Sequence, residues 1–235
     1  MSARNGRKNI SSVIFSVTGV IIIAKLLGFV KQMVASGAFG ATLDTDIINI
    51  AQNVIGDIEY VLAHVLMTSF ISVYLNAAEE GGERVARFAK NAMRAFLVIA
   101  VAVAAVLTAA AFPLARLLAP SYDAAASSRL AAYLRVYSPL VILFVVTAVN
   151  QGLLNANRRF VAVDARSLPP SLIMIAVIAV AGRAIGADAL VVGFLIYTVF
   201  NTVWFWMLSR KYRAGTSADK FTQVFRDPLV RRLLG

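Results

Sequence analysis

Apolar residues run along this chain in blocks long enough to cross a bilayer, joined by short basic connections. The cleanest block, Ala95 to Ala115, holds 21 consecutive residues without a charge. At 1.5 Å of helical rise per residue it matches a hydrocarbon core about 30 Å thick. Comparable runs lie at Ile10 to Ala24, Leu130 to Leu154, Leu168 to Ala181 and Leu190 to Leu208, and a sixth, Asp46 to Leu75, is interrupted by polar residues. A soluble surface helix keeps one polar face, and these blocks do not. The pattern predicts an all-α integral membrane protein, a six-transmembrane-helix bundle with spans at about 10–39, 46–75, 95–118, 130–155, 168–182 and 190–208, forming one membrane lobe over 1–212. Residues 213–235 read as a basic amphipathic cytoplasmic tail, with Phe221, Val224, Phe225, Leu229 and Val230 at helix-like spacing, leading towards a missing next span.

Composition strengthens this reading: 60% of the residues are hydrophobic, 15% are charged, and the mean hydropathy is +0.76. Such values belong to a membrane solvent rather than to water. Charge then sets orientation. Arg4, Arg7 and Lys8 precede span one; Arg84, Arg87, Lys90 and Arg94 lie between spans two and three; Arg158, Arg159 and Arg166 lie between four and five; Arg210, Lys211, Arg213, Lys220, Arg226, Arg231 and Arg232 follow span six. The opposite ends carry only Arg116, Arg129 and Arg183. By the positive-inside bias both termini are expected to be cytoplasmic, in a multi-pass membrane protein. The net charge of +11 therefore calls for no nucleic acid. Val13 to Ala24 imitates a secretory signal, but Lys25 and Lys31 before Val34-Ala-Ser favour an uncleaved first span.

Polar residues inside the spans are the candidate chemistry, since a charge at the bilayer centre costs roughly 2.5 to 3.5 kcal/mol on insertion scales. In span two, Asn49, Asn53, Asp57, Tyr60 and His64 fall within about 60° of Asp46 at 100° per residue. This stripe of six extends roughly 27 Å, close to the hydrocarbon thickness. It cannot face lipid, so it lines either a water-filled cavity or a hydrogen-bonded seam between helices. Glu59 lies off the stripe and needs a partner of its own, for which Lys25, Lys31 and Arg135 have the right sign. In span one, Lys25 shares a face with Gln32, while Lys31 points about 120° away.

Other features carry less. Ala100, Ala104 and Thr108 at four-residue spacing suit close helix packing. Glu83 and Arg87 suit an i, i+4 pair on a short surface helix, and Pro169-Pro170 suits a helix start. Asp44 and Asp46 read as caps of span two rather than as metal ligands. His64, the one histidine, reads as a packing residue before a proton relay. With no cysteine there is no thiolate chemistry. No phosphate loop, nucleophile elbow or triad is present, so neither enzymatic activity nor a cofactor is expected.

Several segments resemble the MviN/MurJ family of lipid II flippases, within the multidrug/oligosaccharidyl-lipid/polysaccharide exporter group. They are Lys25-Leu-Leu-Gly-Phe-Val-Lys31, Phe39-Gly-Ala, Thr45-Asp46, Thr68-Ser-Phe-Ile-Ser-Val-Tyr74, Gly152-Leu-Leu-Asn-Ala156 with Arg159-Phe160, and Phe225-Arg-Asp-Pro-Leu-Val-Arg-Arg-Leu-Leu-Gly235. Order and spacing agree from about residue 8 onward, over the amino-terminal lobe only. The resemblance implies alternating access by two six-helix lobes around a cationic cavity that holds an anionic lipid-linked cell-wall precursor. Lys25 and Lys31 stand where relatives often have arginines, and Asp46 matches an acidic residue that starts span two. Lysine keeps the charge but loses bidentate phosphate geometry. Where many relatives have an arginine pair followed by Ala-Glu-Gly-Ala, this chain has Asp57-Ile-Glu59 and Ala63-His-Val-Leu66, and Met174 stands near a common asparagine.

The expected function is thus a lipid II flippase-like transporter, for cell-wall biogenesis, that needs a second lobe or a homodimer because one lobe has no wall to rock against. Partners would be the lipid-linked anionic precursor and membrane lipid, and the resemblance implies a bacterial inner (plasma) membrane. The residues expected to bind cargo or line the cavity are Lys25, Lys31, Asp46, Asn49, Asn53, Asp57, Glu59, Tyr60 and His64. A small-molecule cation antiporter or polysaccharide-lipid exporter, for which Asp46, Asp57 and Glu59 would be attractive, is the rival within the group. A truncated or scaffolding membrane protein is the rival outside it, and an intramembrane enzyme using His64 with Asp57 comes last.

Overall fold

The computed structural model describes residues 2–79, 81–213 and 228–230, with side chains from residue 18 onward except at 67, 78, 79, 82, 167 and 213. Among them there is no strand. The helices are α1 (Ser2–Phe39), α2 (Leu43–Glu79), α3 (Gly82–Ala109), α4 (Ala111–Leu118), α5 (Ala124–Tyr137), α6 (Leu140–Ala156), α7 (Phe160–Asp164), α8 (Leu168–Ile185) and α9 (Asp188–Ser209). A 3₁₀ turn, Ala165–Ser167, joins α7 to α8. Five stretches are long and apolar enough to cross a membrane: Thr18–Phe39, Leu43–Ala77, Glu83–Ala109, Phe160–Ile185 and Asp188–Tyr212. A sixth forms if α5 and α6, bent by 41° at their junction, count as one. The connections alternate between two ends of the bundle: 40–42, 119–123 and 186–187 at the Gly40 end, and Gly81, 157–159 and 210–213 at the Asn157 end.

The helices start and stop differently from the apolar blocks. The third block was expected to span 95–118; instead α3 begins at Gly82, and its last turns separate as α4. Both differences have backbone causes. Helical hydrogen bonding is indifferent to charge, so the basic turns around Lys90 and Arg94 simply continue the helix. Glu83 and Arg87 do pair, at 3.4 Å, as part of this long helix rather than of a separate surface helix. At the other end Pro113 has no N–H for the Ala109 carbonyl and its ring crowds it, so the helix breaks at Ala110.

The bend between α5 and α6 is also a proline effect. Pro139 cannot donate to the Arg135 carbonyl, and the Ser138 hydroxyl takes over that acceptor at 3.0 Å. Ser138 Oγ also lies 2.5 Å from Thr108 Oγ1 of α3, and tighter i→i−3 bonds from Val141 and Ile142 close the turn. Ser138 is fully buried, so the freed backbone groups are satisfied inside protein as a membrane requires.

Helix α6 is the centre of the lobe. It is apolar nearly all round, and α2, α3 and α9 surround it. Gly152 allows α2 to come close: a Cβ there would lie 2.8 Å from Phe70 Cδ1. Ala92, Ala95, Ala100 and Ala104 give α3 a small-residue face in the same core. Polar bonds tie α6 to α9, with Thr147 Oγ1 3.0 Å from Thr202 Oγ1 and Ser209 Oγ donating to Asn150 Oδ1 at 2.7 Å. At the Asn157 end the Asn157 amide caps α6 through the Leu153 carbonyl and reaches Tyr74 Oη of α2 at 3.2 Å. Most of the tail expected over 213–235 lies outside the described residues; of its apolar positions, Leu229 and Val230 are buried against the α2–α3–α6 core.

Candidate functional site

Helix α1 leans on α8 rather than on α2, its neighbour in sequence, while α2 packs on α6, α5 and α3. The two amino-terminal helices therefore flank a cleft with parts of α8 and α9 behind it. The periodicity of α2 decides what faces outward. Ile47, Ile48, Ala51 and Ile55 are buried against the bundle, and Asp46, Asn49, Asn53, Asp57, Tyr60 and His64 are all exposed on the other side. His64 is not packed between helices: its ring stacks on Tyr60 at 5.7 Å, one turn earlier on the open face.

At the Gly40 end, reciprocal bonds between Thr42 and Thr45 cap α2: Thr42 N donates to Thr45 Oγ1 at 2.9 Å, and Thr45 N donates to Thr42 Oγ1 at 3.3 Å. Asp44 joins this helix start to α5 through an ion pair with Arg129 at 2.5 Å. Beside it, Tyr133 Oη donates to Asp188 at 2.6 Å. Both acidic residues of the first turn also suit the positive end of the helix dipole. No group of three or more metal-ligating side chains occurs among the described residues.

The two lysines of α1 part company. Lys25 lies on the exposed side. Lys31 lies in the middle of the packed face, in register with Ala24, Leu27, Val34 and Ala35, and is partly buried. It lines a small polar pocket of about 50 Å³ with Gln32 and Ser36 of α1 and Asn49 and Gln52 of α2. Lys31 makes no ion pair among the described residues. Gln52 was not singled out by sequence, being about 120° off the stripe. Its amide donates to Tyr137 Oη at 3.1 Å and to the Leu190 carbonyl at 3.0 Å, bridging α2 to α5 and α9 at the back of this pocket.

Glu59 has a partner, but none of the three expected. Arg166, from the turn before α8, approaches its carboxylate at 3.9 Å; Lys25 and Arg135 are exposed elsewhere and Lys31 belongs to the other pocket. Charge counting had placed Arg166 in a cytoplasmic connection. The 3₁₀ turn instead tucks it between α1 and α8, where α2 meets it. Glu59, Tyr60, Arg166 and Tyr197 line a second cavity of about 320 Å³, with Gly56, Ala63 and Pro170.

The cleft between α1 and α2 is edged by polar and charged residues. The family is decided by the sequence as a whole: the model of the lipid II flippase MurJ matches residues 35–234. The chain belongs to the MurJ family. Among solved structures it is similar to a lipid II flippase MurJ in an inward closed conformation, with a TM-score of 0.68 and 15% identity, over 91% of this chain. That likeness establishes the MurJ membrane fold. This chain spans 46% of the length of that MurJ chain. No curated protein matches it.

Proposed function

We propose that the chain is the amino-terminal lobe of a lipid II flippase-like transporter, working by alternating access with a second lobe, whether continuous with it, separately supplied or a second copy. The observation that carries the reading is the cleft: six polar side chains on the open face of a membrane-length helix, opposite a lysine without an ion pair among the described residues. In lipid such a face would be costly, so another wall must cover it, and the covered space is wet and polar. Lys31, with Lys25 further along α1, supplies positive charge for a diphosphate-linked headgroup. The second lobe supplies the remaining cations. Both termini lie in the cytoplasm, because basic residues concentrate at the Asn157 end. Reporter fusions after Ala119 and Gly186 should then report the outside, and fusions after Gly81 and Asn157 the inside; an inverted pattern would overturn the orientation.

The exposed carboxylates Asp46 and Asp57 favour a second reading, a cationic cargo. Complementation separates the two, in cells depleted of their own flippase and supplied with this chain and a second lobe. For an anionic cargo, Lys31→Gln and Lys25→Gln lower growth and Lys→Arg restores it through firmer phosphate contacts. Retained growth in both glutamine variants, with loss in Asp57→Asn at equal membrane levels, would refute the anionic reading.

A further inference from the structure

A separate trough of about 340 Å³ lies at the Gly40 end of the bundle, where α5 and α9 begin. One face of α5 supplies Arg129, Ala132, Tyr133 and Val136, at i, i+3, i+4 and i+7, and the first turns of α9 supply Asp188 and Val192. It is not part of the cleft: at 100° per residue, Leu190, which lines the Lys31 pocket, points to the opposite side of α9 from Asp188 and Val192. The lining is graded like an amphiphile. Arg129, Tyr133 and Asp188 form a polar rim near the connections 119–123 and 186–187, while Val136, seven residues or roughly 10 Å below Arg129, continues the wall with Val192. These two valines are 46% and 37% exposed, so the lower trough is open and apolar. A tyrosine at such a boundary is typical of the level where headgroups meet hydrocarbon.

The rim is held in place before anything binds. Asp44 of α2 pairs with Arg129 through Nη1, and Tyr133 Oη donates to Asp188 Oδ1 at 2.6 Å while lying close to the Arg129 guanidinium. A cation and an anion are thus fixed on either side of one phenol. A guanidinium has five N–H donors and a carboxylate about four acceptor sites, so both retain capacity for a ligand. Charge then selects the occupant. Asp44 offsets Arg129, which leaves the Asp188 carboxylate as the net charge of the rim. An anionic headgroup would meet two carboxylates, and a bare metal cation would meet the guanidinium. A headgroup with a primary ammonium next to a phosphate suits both: its N–H groups donate to Asp188, its phosphate oxygens accept from Arg129, and an acyl chain lies along Ala132, Val136 and Val192. A trimethylated amine has no N–H to give Asp188.

We propose that this trough binds one phosphatidylethanolamine, with its ammonium at Asp188, its phosphate at Arg129 and an acyl chain against Val136 and Val192. The assignment needs the membrane fold and not the transport reading. The lipid would brace the starts of α5 and α9 beside the Asp44–Arg129 pair that anchors α2. The test counts lipids retained by the full chain in native mass spectrometry from micelles, titrated with phosphatidylethanolamine, phosphatidylcholine and phosphatidylglycerol of identical acyl chains. The first phosphatidylethanolamine should bind about 10-fold more tightly than either other lipid, the scale of one charge-assisted hydrogen bond. Asp188→Asn keeps an oxygen for the Tyr133 hydroxyl, so it removes charge with the rim intact; it should cut the preference over phosphatidylcholine by about 3-fold or more. Arg129→Gln should weaken phosphatidylethanolamine and phosphatidylcholine in parallel, through the phosphate they share. Val192→Trp fills the trough and should weaken all three lipids, whereas Glu83→Gln, at the other end of the bundle, should alter none. Equal wild-type affinity for the three lipids, tightest binding of phosphatidylglycerol, or a preference that Asp188→Asn leaves unchanged overturns the site. Retention that neither Arg129→Gln nor Val192→Trp reduces, or a preference lost equally in Glu83→Gln, overturns it as well.

Discussion

Replacing Gly152 by alanine adds one methyl group at the closest approach of α2 and α6. That Cβ would lie 2.8 Å from Phe70 Cδ1, 3.5 Å from Cγ and 3.6 Å from Cε1, against about 3.5 to 4.0 Å for unstrained carbon contacts. The ring cannot swing aside, because Phe70 is fully buried and stacked between Phe88 at 5.5 Å and Tyr74 at 5.6 Å. Overpacking of this kind costs about 1 to 3 kcal/mol, and the rigid surroundings argue for the upper part of that range. Alanine returns up to about 1 kcal/mol in helix propensity. The net expectation is a loss of about 1 to 2 kcal/mol. The assay is equilibrium unfolding in mixed micelles, followed by the fluorescence of Trp204 and Trp206, for the wild type, Gly152→Ala, Phe70→Leu and the double variant. In the Phe70→Leu background the methyl group has room, so the alanine should be neutral or stabilising. An alanine variant as stable as the wild type, or an equal loss in both backgrounds, would refute the steric argument.

Further outcomes follow from the same structure. Ser138→Ala leaves the Arg135 carbonyl without the donor that replaces Pro139, while Thr108 keeps its bond to the Ala104 carbonyl, and should cost about 1 to 3 kcal/mol in the same unfolding assay; a neutral result would mean the bend is satisfied otherwise. Arg87→Ala breaks an exposed ion pair and should change stability by less than about 0.5 kcal/mol, with a loss above 1 contradicting its exposed setting. Cysteines at Asn53 and Asp57 should react with a small aqueous thiol reagent faster than cysteines at Ala51 and Ile55, and equal protection at all four would place the stripe in a dry seam.

The helices were legible in the sequence because long apolar blocks have few alternatives in a membrane. The outward face of α2 was legible because 100° per residue gathers Asp46 through His64 on one side whatever the tertiary packing. Helix ends were less so. Hydropathy marks where the chain is immersed, whereas the start of α3 at Gly82 and the breaks at Ala110 and Ser138 are set by backbone hydrogen bonds and prolines. The pairing of Glu59 was hidden for a different reason. An off-stripe carboxylate signalled that a cation was needed, but sign alone selects among all cations, and Arg166 is distant in sequence and brought near only by the turn before α8. Gln52 and Tyr197 carried no signal: each is one polar tip on an otherwise ordinary helix face until the facing helices are in place.

The most direct test of the account asks whether cargo passes between α1 and α2. A photoreactive prenyl diphosphate sugar, added to membranes carrying this chain together with a second lobe, would be crosslinked and the labelled positions mapped. Single-cysteine variants bearing a complementary photoprobe would be compared at Gln32, Asn49 and Asn53, which edge the cleft, and at Ile22, Leu26 and Phe29, on exposed apolar positions of α1. The account predicts labelling at the first three that excess unlabelled prenyl diphosphate sugar removes, with only background at the others. Competable labelling confined to Ile22, Leu26 and Phe29, or uniform labelling that competitor leaves unchanged, would contradict it.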